Sequence, residues 1–336
     1  MASQKENNIP LVSRQSVEFF ASMFKEVDSK TYALLRAATI PNDIHTDAQY
    51  EYLPESCLKN FLEVLADNTT QKQLGWLFLR TCKETYVPRL ISSLTEQSSL
   101  KAALQKFSTL LKKESSAENV YLEQAGGSWW LVREKSGLDE GWFKYAEMFS
   151  VICMAELLRA LTHQKWLPQR IGIQHPNIDE FSQLPSLQHA QFFIERPVTA
   201  IEIPESLLLS PIQLPKNINK VAQHQSCSIP PSSFKQQFTL AITPYLSMGK
   251  LPIKIAAEIL RLNVRTLQRR LESENIVYKQ LIEALVFEQI SKHLSGSNEN
   301  ITQIANRYGY SDAAHFTRSF KRIYGCTPSQ YRKSHQ

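Results

Sequence analysis

The sequence predicts an α+β N-terminal domain followed by an all-α C-terminal domain with two helix-turn-helix units. Three observations predict it. Helix and strand patterns mix through the first 215 or so residues, and only helical periodicity follows. Prolines recur at Pro197, Pro204, Pro211 and Pro215, and the polar stretch 216–235 with Pro230-Pro231 then reads as a partly extended linker. Charge is also segregated. Residues 236–336 hold 14 Lys/Arg against 7 Asp/Glu, leaving 24 against 25 in the remainder of a chain with net charge +6. The expected organisation is therefore a first domain over 1–215, a linker over 216–235 and a basic domain over 236–336.

Length and composition narrow the classes. A chain of 336 residues, 43% hydrophobic and 21% charged, can bury two cores and is not of disordered composition. The start, Met1 to Pro10, is polar and lacks the apolar run of a signal peptide. The most apolar segment, Tyr145 to Leu161, carries Glu147, Glu156 and Arg159, so it reads as a buried amphipathic helix and not a membrane span. The expected location is the cytoplasm, with no membrane partner. Five scattered cysteines, at 57, 82, 153, 227 and 326, fit buried or incidental thiols better than a metal site or disulfide framework.

Taken in order, Leu58 to Ala66 and Leu100 to Leu111 place apolar residues at helical spacing. Val120 to Glu123 and Ser128 to Val132 flank Gly126-Gly127, the pattern of a β-hairpin. Tyr145 to His163 reads as a long helix, and strands are expected at Arg170 to Gln174, His189 to Ile194 and Thr199 to Ile203. This region shows no catalytic constellation. His45, His163, His175 and His189 lack metal-ligand spacing, and there is no nucleophile elbow, P-loop or dinucleotide fingerprint. The expectation is no enzyme, no cofactor and no metal. Trp129, Trp130 and Trp142 can line an apolar pocket, although aromatics at such positions are more often core.

The C-terminal domain repeats one plan twice. In the first unit, Ile255 to Arg261 forms a short helix, Leu262-Asn263 supplies the turn, and Asn263 is placed to cap the next helix. Val264, Leu267 and Leu271 face its core, which turns Arg265, Gln268, Arg269 and Glu272 outward. Arg can grip guanine and Gln adenine with two bonds each in the major groove. Asn275 stands where the helix ends. In the second unit, Ile301, Ile304, Ala305 and Tyr308 form the inner face of a supporting helix, and Gly309 permits the turn. Ser311 is expected as the cap. Ala313, Phe316 and Phe320 are expected inward, with Ala314, Thr317, Arg318 and Lys321 outward. Pro328 starts a last helix whose Tyr331 closes the core.

The spacing Ala305-x3-Gly309-x6-Phe316-x-Arg318-x-Phe320-Lys321-x3-Gly325-x2-Pro328-x2-Tyr331-Arg332 resembles the signature of the AraC/XylS family of bacterial transcription regulators. The resemblance implies that a long helix, about Tyr278 to Leu294, ties the two units together and that both recognition helices enter the major groove of promoter DNA. It implies base-facing roles for Arg265, Gln268 and Arg269, then Ala314, Thr317 and Arg318, with His315 touching a base or phosphate. Lys321 shares the second outward stripe. Asn263 and Asn275 replace the family's usual Ser and Gly, and Val286 replaces an Arg common on the linking helix. Ala314 replaces a polar base-reader, so the first helix is expected to set specificity and the second to add affinity and register.

The first 215 residues also resemble the family's arabinose-binding-like sensor domain, through Leu53-Pro54, Gly126 to Trp130, Pro168 to Pro176 and Phe193 to Pro211. What this implies is a small-molecule effector, an activator that meets RNA polymerase, and a homodimer. The alternative is an effector-independent regulator or repressor whose N-terminal domain serves only dimerisation. An architectural DNA protein would lean on lysine-rich surfaces and apolar wedges instead.

Overall fold

The computed structural model describes residues 8–46, 50–94, 97–177, 183–212, 214, 233–248 and 251–335. The polar start before residue 8 and the linker residues 216–232, with Cys227 and Pro230-Pro231, lie outside the described residues, as does Pro215.

The chain opens with β1 (Leu11–Ser13), α1 (Arg14–Ala21) and α2 (Thr31–Ala37). Then come β2 (Tyr52–Pro54), α3 (Ser56–Asp67), α4 (Gln71–Thr81), α5 (Val87–Ser92) and α6 (Leu100–Glu114). The hairpin β3 (Asn119–Ala125) and β4 (Ser128–Glu134) precedes the long α7 (Phe143–Leu161). β5 (Arg170–Gly172), β6 (Gln191–Phe193), β7 (Thr199–Ile203) and α8 (Glu205–Leu208) follow. The C-terminal part is helical: α9 (Phe234–Ile242), α10 (Ile253–Ile259), α11 (Val264–Ser273), α12 (Tyr278–Gly296), α13 (Ile301–Arg307), α14 (Ala313–Tyr324) and α15 (Pro328–His335). An α+β region followed by an all-helical one is thus the observed class.

Packing gathers the described residues into two units, each built from more than one stretch of chain. One takes the described parts of 15–42 and 57–229, the other those of 1–14, 43–56 and 230–336. The first unit is organised on a five-stranded sheet of order β3-β4-β7-β5-β6, antiparallel except between β5 and β6. Gly126 and Gly127 turn the hairpin with φ of 60° and 79°, values that cost a side-chain-bearing residue steric strain. Leu131, Ile171 and Ile201 pair across the middle of the sheet and are fully buried. Helix α7 packs against β7, α4 and α5, which explains its burial on several sides.

That burial takes two carboxylates with it, and one is satisfied entirely by hydrogen bonds. Glu147 accepts the Gln174 N–H at 2.7 Å, the His175 N–H at 3.0 Å and the Thr199 hydroxyl at 2.5 Å. His175 therefore serves here through its backbone. Glu156 accepts from Arg159 one turn on, at 2.7 Å. The three tryptophans have separate partners. Trp142 is buried and donates to Glu140, Trp129 donates to Glu205, and Trp130 donates to the Ala125 carbonyl.

The second unit begins with a ribbon that the sequence reading did not anticipate. β1 and β2 pair antiparallel with Val12 opposite Leu53, bracketed by Glu55 N–H to the Pro10 carbonyl and Arg14 N–H to the Glu51 carbonyl. Every residue of both strands is buried, so neither shows the alternation that marks a half-buried strand. Helix α9 packs on β2, and its Gln237 side chain accepts the Ile9 N–H at 2.8 Å. Ser56 donates its hydroxyl to the Ile259 carbonyl, the last residue of α10, at 2.5 Å. The ribbon is thereby stitched to the helices that carry the first helix-turn-helix.

Candidate nucleic-acid interface

The first recognition helix is positioned from both ends. Asn263 accepts the Thr266 N–H at 3.1 Å and so satisfies one of the orphan donors at the start of α11. Asn275 takes φ of 57°, letting the Ile276 N–H return to the Leu271 carbonyl at 2.9 Å. This is the left-handed helix end that asparagine tolerates next to glycine. Leu267 and Leu271 are fully buried, while Val264 stays half-buried at the first turn. Arg265, Gln268, Arg269 and Glu272 are all exposed. None of the three base-reading candidates makes a side-chain hydrogen bond or ion pair with a described residue.

The second unit differs from expectation in its cap. Asp312, and not Ser311, caps α14 by accepting the Ala314 N–H at 2.8 Å. Hydrogen bonds from the Ala314 and His315 N–H groups lower its carboxyl pKa, with Arg318 adding to the effect. An ionised carboxylate also suits the positive end of the helix dipole better than a hydroxyl does. Ala313, the first residue of α14, is exposed, correcting its placement inward. Phe316 and Phe320 are buried as the periodicity requires.

Ala314, His315, Arg318 and Lys321 are exposed, and Thr317 is half-buried with its hydroxyl donated to the Ala313 carbonyl at 2.8 Å. The His315 ring lies nearly parallel to Tyr310, with centroids 5.8 Å apart, so one face of the imidazole is already covered. The presentation on α14 is thus poorer in free polar groups than that on α11. Arg318 and Lys321 are its exposed cations without a described ion-pair partner.

Most signature residues of the second unit serve its packing. Gly309 takes φ of 80° at the turn, and Gly325 takes 74° at the end of α14. Tyr331 meets Phe320 and Tyr324 edge-on at 5.5 and 5.1 Å. Arg332 donates to the Leu294 carbonyl at 3.2 Å and the Glu299 carbonyl at 2.7 Å, tying off the end of α12. Helix α12 packs on α13 and α15 and on the turn 243–248, and Phe287 sits among Tyr310, Phe316 and Phe320. Val286 is buried, so apolar packing stands at this position of α12. Arg322 pairs with Glu283, which joins α14 to α12 by charge as well.

Two N-capped helices, each with a buried apolar edge and an exposed polar stripe, joined by one long helix, define a double helix-turn-helix DNA reader. Comparison with known proteins agrees. Residues 256–334 match the helix-turn-helix domain family, and residues 30–212 match the arabinose-binding N-terminal domain of AraC transcription regulators. The chain belongs to the AraC family of transcription regulators. It is similar to the porin thermoregulatory protein EnvY of Escherichia coli K12, 35% identical over 79 residues that cover 24% of this chain and 31% of that one. It is similar to the transcriptional activator CfaD of Escherichia coli, 34% identical over 82 residues, with 24% and 31% covered. The regulator VirS of Mycobacterium tuberculosis is 37% identical over 87 residues, 26% of each chain. These matches span about a third or less of the relatives' length. Among solved structures, the transcriptional regulator CdpR from Pseudomonas aeruginosa aligns over 90% of this chain and 96% of its own at a TM-score of 0.37 and 15% identity. No described helix is long and apolar enough to cross a membrane.

Proposed function

We propose that this protein binds promoter DNA in a sequence-specific way and activates transcription under control of a small-molecule effector held by the N-terminal unit. The observation that carries the reading is the stripe of Arg265, Gln268 and Arg269. It is exposed on a helix capped at its start, and its donors make no hydrogen bond or ion pair with a described residue. Arg265, Gln268 and Arg269 would read bases from α11. Arg318, with Ala314 offering a methyl to thymine, would read from α14, Lys321 would hold phosphate, and His315 and Thr317 would line the same groove. Residues 1–215 would sense, 216–235 would link and 236–336 would read. An activator contacts RNA polymerase, and a homodimer would double the number of helices on one site.

The experiment is a gel-shift series on fragments upstream of its own and neighbouring genes, with and without a metabolite extract, beside single substitutions. Arg269→Ala should cost about 1–3 kcal/mol on the preferred site and relax selection within one half-site. An equal loss on every sequence would assign Arg269 to phosphate, and failure of the wild type to select any promoter would overturn the reading. In vitro transcription from the selected promoter gives the sign of regulation.

A further inference from the structure

The five-stranded sheet of the first unit ends on one side with β3, and that edge is long and regular. β3 runs seven residues, Asn119–Ala125, against three for β6 at the opposite edge. It pairs with β4 residue for residue, from Asn119 with Glu134 to Ala125 with Ser128, so no bulge twists it away. It holds no proline, and Glu123 is its one charged residue. Short length, proline, bulges and charge are the devices that keep a sheet edge from pairing with another chain. β3 lacks all of them but the single carboxylate.

The turn decides which backbone groups that edge presents. Gly126 and Gly127 both take positive φ, the geometry of a two-residue hairpin in which the flanking Ala125 and Ser128 exchange hydrogen bonds. Pairs alternate along an antiparallel ladder, so Asn119, Tyr121, Glu123 and Ala125 turn their N–H and C=O groups toward β4. Val120, Leu122 and Gln124 turn theirs outward. Among the described residues no strand pairs with this side, and none of the three makes a backbone hydrogen bond across it. Leu122 is half-buried and Gln124 exposed, so the edge is open to solvent there.

We propose that β3 is a dimerisation edge: a second copy of this chain adds its own β3 antiparallel about a two-fold axis at Leu122, joining the two sheets into one. The proposal gives a surface to the homodimer read above and rests on that reading. In this register outward residues meet outward residues. Leu122 faces the partner's Leu122 and Val120 faces the partner's Gln124, and each such pair exchanges two backbone bonds. Glu123 faces the partner's Tyr121, so no like charges stand directly opposite. Moving the axis to Glu123 would set two carboxylates against each other, a destabilising cross-strand pair. A two-fold axis also closes the assembly at two copies and uses up the edge on both.

The test uses the full-length protein, in sedimentation equilibrium over a micromolar concentration range without DNA, with thermal melting alongside. Wild type should associate to a dimer. Gln124→Pro removes an outward N–H at an exposed position and leaves the ladder to β4 intact. Association should then weaken roughly tenfold or more while the chain stays folded. Leu122→Lys and Leu122→Glu each put like charges on the axis, and each should be monomeric. Mixed in equal amounts they should associate again, because opposite charges then meet; variants that had merely unfolded would not recover. The proposal falls if wild type is monomeric throughout, if Gln124→Pro and Leu122→Lys associate like wild type, or if the mixture stays monomeric. A wild-type dimer that all three variants leave unchanged sinks the β3 edge but keeps the homodimer, whereas a monomeric wild type sinks both.

Discussion

Arg265 and Arg269 are exposed and make no hydrogen bond or ion pair with a described residue, whereas Arg322 and Arg332 on the second unit are tied to Glu283 and to the Leu294 and Glu299 carbonyls. Charge type alone does not separate these two groups; partners do. His293 shows the same point for a titrating group. Its Nδ1 lies 3.0 Å from the Tyr308 hydroxyl and its Nε2 3.4 Å from Arg307 Nη1, a pattern met by a neutral ring with the proton on Nδ1. Burial, helped by the Arg307 charge, lowers its pKa below 6.5, against a smaller opposing pull from Glu299. The unfolded chain then binds the proton more readily than the folded one. Stability is full above pH 6.5 and is lost as pH falls from there through the lowered folded value. Melting of the protein should therefore weaken across that window, and His293→Asn should flatten the slope; an unchanged slope would place its origin elsewhere.

At the scale of elements, caps decide where each reading helix begins. Asn263→Ala should cost about 1 kcal/mol of folding stability and loosen the first turn of α11, where Arg265 sits. Urea unfolding together with DNA affinity would measure both, and a stability loss with full affinity would mean that DNA itself orders the turn. The Asn263 cap was legible because only one polar residue precedes the apolar period. At the second helix Ser311 and Asp312 are adjacent candidates, and the sequence does not rank a hydroxyl against a carboxylate that collects two N–H bonds. Helix α4 was legible and overlooked: Thr70 and Gln73 form a reciprocal capping box. The hairpin, α3, α6 and β7 followed their patterns, while β5 and β6 are shorter than expected because their pairing spans only three residues.

For the whole molecule the consequential finding is the ribbon of β1 and β2. Leu11, Val12, Tyr52 and Leu53 are buried in the unit that reads DNA, although they come from the opposite end of the sequence. A fragment limited to residues 233–336 lacks that cover for α9 and the Ser56 bond to α10. Such a fragment should melt earlier than the same unit in the full chain and bind promoter DNA less tightly. Leu53→Ala in the full chain should cost about 2–5 kcal/mol, as other large-to-small core substitutions do. Equal melting and affinity for fragment and full chain would show that the ribbon is dispensable.

The sequence by itself determined the helical period, the two turns, the exposed stripe on α11 and the family signature, because each depends on neighbours within one or two helical turns. Only the tertiary structure decided which arginines pair with other described residues, and that the first strand joins α9. Those outcomes depend on partners tens to hundreds of residues away, as Ile9 and Gln237 show, and local periodicity carries no record of them.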